Sequence, residues 1–275
     1  MILVRNLRLL PEEDFSLLPS RAAEKLRVPG GRILTCELKR RSLDARKKDR
    51  IHWVCSVAVS VSGSEEKLLR SKDPDIAAYV PPVYEIPVLT FDERPVVVGF
   101  GPAGMFAALV LSRAGLRPIV LERGLDALSR RAAVERFRSG GPLDPECNVQ
   151  FGEGGAGTFS DGKLNTGTHD RRIHWVLEQF TRHGAPESVL WDAKPHIGTD
   201  ILVDVVQNIR REILSLGGEV VGRSAHLHVE VKQFGMRFHV HAFGVHADGD
   251  VALQYYALVV QGLDGLAQLL IAVVL

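Results

Sequence analysis

Cysteine is scarce in this chain of 275 residues: Cys36, Cys55 and Cys147 are the only three. They lie far apart, with neither a C-x-x-C pair nor metal-ligand spacing, which excludes a dithiol redox centre and a cysteine-built metal site. An excess of charge of one sign is also missing, since 34 Lys and Arg balance 33 Asp and Glu to a formal net charge of +1. Nothing global therefore pulls the chain toward nucleic acid or acidic lipid. The opening Met1-Ile-Leu-Val-Arg-Asn-Leu-Arg has no long apolar core before Pro11, so it does not read as a secretory signal and a cytoplasmic protein is expected. The 251–275 segment is apolar, but as a helix it would gather Gln254, Gln261, Asp264 and Gln268 on one stripe. A carboxylate such as Asp264 in hydrocarbon costs roughly 3 kcal/mol, so no membrane span is assigned; 251–260 reads instead as a strand.

Against these absences stands a glycine fingerprint. The run Val96-Val-Val-Gly-Phe-Gly-Pro-Ala-Gly sets Gly99, Gly101 and Gly104 in a G-x-G-x-x-G turn between an apolar strand and an apolar helix. A second apolar strand then ends at Glu122, 18 residues past Gly104. This is a complete dinucleotide-binding βαβ unit. Gly99 lets the chain turn out of the strand, Gly101 offers no Cβ to obstruct a pyrophosphate, and Gly104 lets the helix lie close to the sheet. The phosphates would sit on the helix N-terminus, formed by Pro102, Ala103 and Gly104, where free N–H groups and the helix dipole favour an anion. Pro102 suits that first turn because it has no N–H to lose. The Glu122 carboxylate would hold the ribose hydroxyls and repel a 2′-phosphate, so NADP is not the expected first ligand. The ending Glu122-Arg123-Gly124 resembles that of flavoproteins, and with the second glycine-rich loop downstream it points to FAD over NAD.

A second glycine-rich loop follows at Asn148-Val-Gln-Phe-Gly-Glu-Gly-Gly-Ala-Gly-Thr-Phe-Ser-Asp-Gly-Lys-Leu-Asn-Thr-Gly167. Its glycines let backbone approach a ligand, while Thr158, Ser160, Asp161, Lys163 and Asn165 supply donors and acceptors. Gln150, Phe151 and Phe159 give it packing anchors that a plain linker lacks. The cofactor-binding set is thus Gly99, Gly101, Pro102, Ala103, Gly104, Glu122 and Arg123, joined by Gly154, Gly155, Ala156, Gly157, Thr158, Ser160, Asp161 and Gly162.

These residues, with Lys194-Pro-His-Ile-Gly-Thr-Asp and the upstream Arg40-Arg-Ser-Leu-Asp-Ala-Arg-Lys, resemble the FAD-dependent dehydrogenases known as NAD(P)/FAD-dependent oxidoreductases of bacteria and plastids. The resemblance covers residues 1 to about 220, and the 149–164 stretch is its most specific part. It implies α/β architecture: a Rossmann-type FAD-binding domain of the glutathione-reductase kind with a parallel sheet, preceded by a small N-terminal domain. It implies hydride transfer at FAD with an undefined substrate, and NAD(P)H as a candidate electron donor. Members of that family are roughly twice as long, with a Gly-His-Ser-Ala-Arg-Asp stretch and a C-terminal Gly-Asp motif that close the flavin site. Neither occurs here. The chain is therefore expected to be an N-terminal half that alone holds FAD poorly. A non-catalytic nucleotide-binding protein or inactive fragment is the alternative.

Two domains are expected, at 1–88 and 89–275. The first reads β-α-β-β-α, with strands near 2–9, 32–40 and 51–62 and helices near 12–27 and past 62, which suggests a ferredoxin-like α+β plait. Ile51, Trp53, Cys55, Val57, Val59 and Val61 alternate with polar residues to give one apolar strand face. Pro81, Pro82 and Pro87 mark the linker. The basic run from Lys39 to Arg50 admits an RNA-binding reading, but a solvated hairpin loop, or contacts to the neighbouring domain, explains it more simply and no nucleic acid is assigned. In the second domain, helices are expected near 126–138, with arginines on the exposed side, near 171–183, and near 200–216, capped by Thr199 or Asp200 and stopped by Gly217-Gly218. Glu219-Val-Val reads as the next strand. His226, His228, His239 and His241 form two H-x-H pairs that a hairpin could gather around zinc, but an ordinary half-exposed hairpin suffices and no metal is assigned. No residue is assigned as acid, base or nucleophile; Asp161 and Lys163 are the polar candidates nearest the flavin.

Overall fold

Alternating apolar residues build the first 84 residues into an antiparallel sheet. In this computed structural model, residues 1–164, 166, 170 and 172–222 are described with their side chains, and 226–233, 236–243, 258–261 and 268–271 by backbone. Contacts divide the chain into one unit of Met1–Tyr84 with Lys163–Ile197 and another of Glu85–Gly162 with Gly198–Leu275.

The first unit runs β1 (Ile2–Leu9), α1 (Leu18–Leu26), β2 (Ile33–Asp44), β3 (His52–Val61), α2 (Glu65–Leu69) and β4 (Ile76–Ala78). Its strands lie in the order β2-β3-β1-β4, each pair antiparallel. The alternating row of β3 supplies Cys55, Val57, Val59 and Val61 to a buried core shared with Leu18, Ala22 and Leu26 of α1. In β1, Val4 and Leu7 both reach that core although an odd spacing separates them. A register shift between the two, with Asn6 at φ 55°, turns the strand so that both face inward.

Strand β2 extends past its expected end near residue 40 to Asp44, so half of the basic run belongs to a strand. Within the run, Lys39 pairs with Glu37, Arg46 with Asp44 and Arg50 with Asp49. Arg41 is held most firmly. Its guanidinium lies 5.4 Å and 5.2 Å from the ring centres of Phe15 and Trp53 and grips Asp192 through two hydrogen bonds of 2.5 and 3.2 Å. The main chain follows, with Arg41 N–H donating to Trp191 O at 2.8 Å and Ala193 N–H to Arg41 O at 3.0 Å. From sequence, 163–197 is expected in the second domain; these bonds to edge strand β2 place it with the first unit.

The second unit opens with β5 (Val96–Val98), α3 (Pro102–Arg113), β6 (Ile119–Leu121) and α4 (Ala127–Arg138). Helix α5 (Arg172–Arg182) then belongs to the first unit, and α6 (Thr199–Ser215) and β7 (Glu219–Val221) return to the second. The three strands pair in parallel in the order β5-β6-β7, as successive crossovers through helices require. Two caps refine expectation: Asp126 caps α4 by accepting from Leu128 and Ser129 N–H, and α6 starts from Gly198 rather than from Thr199 or Asp200. Gly217, at φ 85°, stops α6.

Beyond residue 222, β8 (His226–Gln233) pairs antiparallel with β9 (Met236–Phe243), setting His228 opposite His241 and Glu230 opposite His239. The side chains of this four-histidine hairpin lie outside the described residues. Strand β10 (Leu258–Gln261), at the end of the expected 251–260 strand, pairs with β11 (Gln268–Ile271). Among the described residues no helix is long and apolar enough to cross a membrane.

Arg41→Ala removes a bidentate ion pair and a cation stacked on two rings, so it is expected to destabilise the first unit by about 1–3 kcal/mol. Arg41→Lys should restore little of this, because an ammonium cannot present the planar fork. Denaturant unfolding measures both, and an unchanged midpoint in Arg41→Ala contradicts the role given to the pair.

Candidate functional site

The turn after β5 shows why Gly99 and Gly104 are needed. Gly99 continues the parallel ladder by donating to Leu121 O at 2.7 Å, then leaves it at φ 89°, a left-handed conformation natural to glycine. A Cβ at Gly104 would overlap the carbonyl of Gly99 and touch Val97, so only glycine allows α3 to start this close to the strand. Gly101 is the N-cap of α3, with Pro102 in the first turn and no side chain capping the helix. The N–H groups of Ala103 and Gly104 therefore open the helix without an acceptor inside it.

The second glycine loop sits directly on this turn. Gly154 N–H donates to Phe100 O at 2.7 Å, and a Cβ at Gly155 would come within 2.8 Å of Pro102 Cδ and 3.4 Å of Gly101 Cα. A Cβ at Gly124, just past β6, would overlap the backbone of Gly152. Backbone thus meets backbone at two places. Glu122, 7% exposed, joins the same parts: Oε2 accepts from Phe100 N–H at 2.6 Å and Oε1 from Gly124 N–H at 2.7 Å. Its carboxylate thus ties the ends of β5 and β6 together, a role the fingerprint does not announce.

Arg130 holds the loop in place. It is expected among exposed arginines of α4, yet it is 0% exposed. Its Nε donates to Asn148 O at 3.0 Å, Nη2 to Val149 O at 2.9 Å, and Nη1 to Gly152, Glu153 and Gly155 O at 3.2, 2.8 and 2.7 Å. The plane lies 4.7 Å from the ring centre of Phe159. Burial lowers its pKa to about 10, which leaves it charged at neutral pH. A Cβ on Gly152, where φ is 116°, would come 2.7 Å from Arg130 Cδ. The correction to the exposed reading is positional: Arg130 lies three residues past Ala127 and four before Val134, both buried, and so on the inward stripe of its helix. That stripe was the available signal; the charge concealed it.

Two buried polar groups in the loop lack full partners. Glu153, 1% exposed, accepts from Ala127 N–H at 2.7 Å and Arg210 at 3.3 Å through Oε2, while Oε1 has no partner. Burial raises its pKa, against the opposing pull of Arg210 and the Ala127 N–H. Thr158, fully buried in the short turn Ala156–Phe159, has a hydroxyl with no partner. Among the other expected site residues, Gly162 is buried, whereas Ala156, Gly157, Ser160 and Asp161 are exposed. The Ser160 hydroxyl donates to Gly157 O at 3.1 Å. Arg123 grips Glu146 at 2.7 and 2.9 Å and lies over Phe151. Lys163 belongs to the first unit, where it bridges to His196, and Asn165 lies outside the described residues. Among the described residues no group of three or more His, Cys, Asp or Glu could hold a metal.

The raised pKa of Glu153 fixes a pH dependence. Below the ordinary carboxyl value of 4.5 the group is protonated folded or unfolded and has no effect. As pH rises above it, the unfolded chain releases the proton first, and stability falls until the folded group has titrated. Glu153→Gln lacks this loss, so its stability relative to wild type should rise between pH 4 and pH 7 in denaturant unfolding. A difference independent of pH contradicts the assignment.

Comparison with known proteins gives three likenesses. A family profile described as a domain of unknown function (DUF8436) matches residues 1–60. An uncharacterized protein of Clostridium beijerinckii is 45% identical over 224 residues, which is 80% of this chain and 42% of that protein. Two uncharacterized GMC-type oxidoreductases, from two strains of Mycobacterium tuberculosis, are each 37% identical over 98 residues, 33% of this chain and 14% of theirs. The chain thus spans less than half the length of these curated relatives.

Proposed function

We propose that the second unit is a Rossmann-type domain that binds the ADP part of FAD, and that the chain belongs to an FAD-dependent oxidoreductase. The observation that carries this reading is the stacking of one glycine-rich segment on another at the open N-terminus of α3. Parallel strands β5-β6-β7 with helical crossovers, Glu122 at the end of β6, and the partial similarity to GMC-type oxidoreductases support it. The β2-β3-β1-β4 order supports a ferredoxin-like plait in the first unit.

The residues present fit the ADP part of the cofactor. At Gly99 a Cβ would meet nothing within 4 Å, so the turn borders open space, and the Ala103 and Gly104 N–H groups lack acceptors in the helix. Glu122 would receive ribose hydroxyls through lone pairs left by its two main-chain bonds, and its charge opposes a 2′-phosphate. Arg123 cannot offset that charge freely, because Glu146 already holds it. FAD, when bound, supplies hydride transfer; NAD(P)H is the proposed electron donor and the substrate is a small molecule of undefined class. The chain's residues contribute binding and orientation: the two glycine loops fix the phosphates, and Glu122 fixes the ribose end.

Reconstitution with FAD and a flavin absorbance titration test this reading. Wild-type protein is expected to bind FAD weakly, through its ADP part, as an N-terminal half would, and the bound flavin should bleach with NADH or NADPH. Gly101→Val should abolish uptake while leaving a folded protein, because a branched side chain would fill the space between turn, loop and phosphate. Glu122→Ala should weaken FAD by roughly 1–3 kcal/mol through the lost charge-assisted bonds. A folded Gly101→Val variant that titrates like wild type overturns the proposal.

A further inference from the structure

Every hydrogen bond that the Arg130 side chain makes ends on a main-chain oxygen, and those oxygens belong to one irregular segment, Asn148 to Gly155. No helix or strand forms there; Gly155 and Thr158 N–H also reach Gly152 O and Gly155 O, and the guanidinium adds the donor that draws all five carbonyls to one point. The same segment carries Gly154 and Gly155, whose bond to Phe100 and contact with Pro102 seat the loop on the α3 turn.

We propose that Arg130 is a positioning residue of the dinucleotide site: it gathers five carbonyls of the second glycine loop around one buried fork, so that the loop stands in its binding shape before any ligand arrives. The proposal rests on the dinucleotide reading above. It adds that affinity depends on a side chain whose hydrogen bonds all go to the protein's own main chain. Preorganisation removes an ordering cost that a free loop of this length would impose on binding. The fork geometry matters as well as the charge. An ammonium carries its three donors on a single atom and cannot reach acceptors spread from residue 148 to residue 155.

The test compares wild type, Arg130→Lys and Phe159→Leu by titration with FAD and with ADP, and by amide hydrogen exchange of the unliganded proteins. Arg130→Lys is expected to weaken both ligands by about tenfold or more and to speed exchange across 149–155, while the amides of β5, β6 and β7 keep their protection. Phe159→Leu keeps all five hydrogen bonds and removes only the ring beneath the fork, so it should give the same pattern at smaller size. Should Arg130→Lys lose protection throughout the unit, Phe159→Leu decides: selective loosening of 149–155 with weaker binding supports the proposal, and wild-type binding overturns it. Arg130→Lys that binds like wild type overturns the positioning role and leaves the dinucleotide reading standing. A wild-type protein that binds neither FAD nor ADP overturns both.

Discussion

A guanidinium removed from water must find acceptors, and Arg130 finds five in one loop. Burying a cation without them would cost several kcal/mol, so helix α4 and the loop are bound to each other's positions. The rest of the second unit follows from that constraint. With the loop fixed, Gly152 lies on Gly124, Gly155 lies on Gly101 and Pro102, and Phe100 bonds to Gly154 on one side and Glu122 on the other. Three separate stretches of sequence are thus locked together, with glycine at 124, 152 and 155, where a Cβ would clash.

The first unit depends on a related device of different chemistry. Arg41 also brings a distant segment to a fixed element, but it pairs with a carboxylate, Asp192, and stacks on Phe15 and Trp53. There the partner charge is local, and the pair remains about a quarter exposed. Arg130 has only carbonyl dipoles and a ring for partners, with the nearby charges of Glu122 and Glu153 favouring its protonated form. The exposed reading fails for Arg130, and for Arg41 the structure favours the contact reading of the basic run over the solvated loop, because each arginine is recruited by acceptors far away in sequence.

Local patterns were legible and long-range ones were not. The alternation from Trp53 to Val61 announced β3, and the glycine spacing announced the β5-α3-β6 unit, because both signals lie within a few residues of what they specify. The bulge at Asn6 left no such trace, since it is set by which residues of β1 must face the core. The allegiance of 163–197 to the first unit was hidden, because Arg41 and Asp192 are 151 residues apart. At the candidate site, the glycine spacing marks Gly101, Gly104, Gly154 and Gly155, which lie together, while the charge of Arg130 points to solvent and conceals its buried place. Glu122 was named for the ribose, yet its two main-chain bonds to the turn could not be read from a motif.

The central claim is that two glycine-rich segments, clamped by Arg130, form one dinucleotide site on α3. A crystal structure of the protein with ADP tests it most directly. The account predicts the pyrophosphate within hydrogen-bond distance of the Ala103 or Gly104 N–H, the ribose beside Glu122, and the Arg130 fork still on its five carbonyls. ADP bound elsewhere, with the α3 turn empty of phosphate, would contradict it.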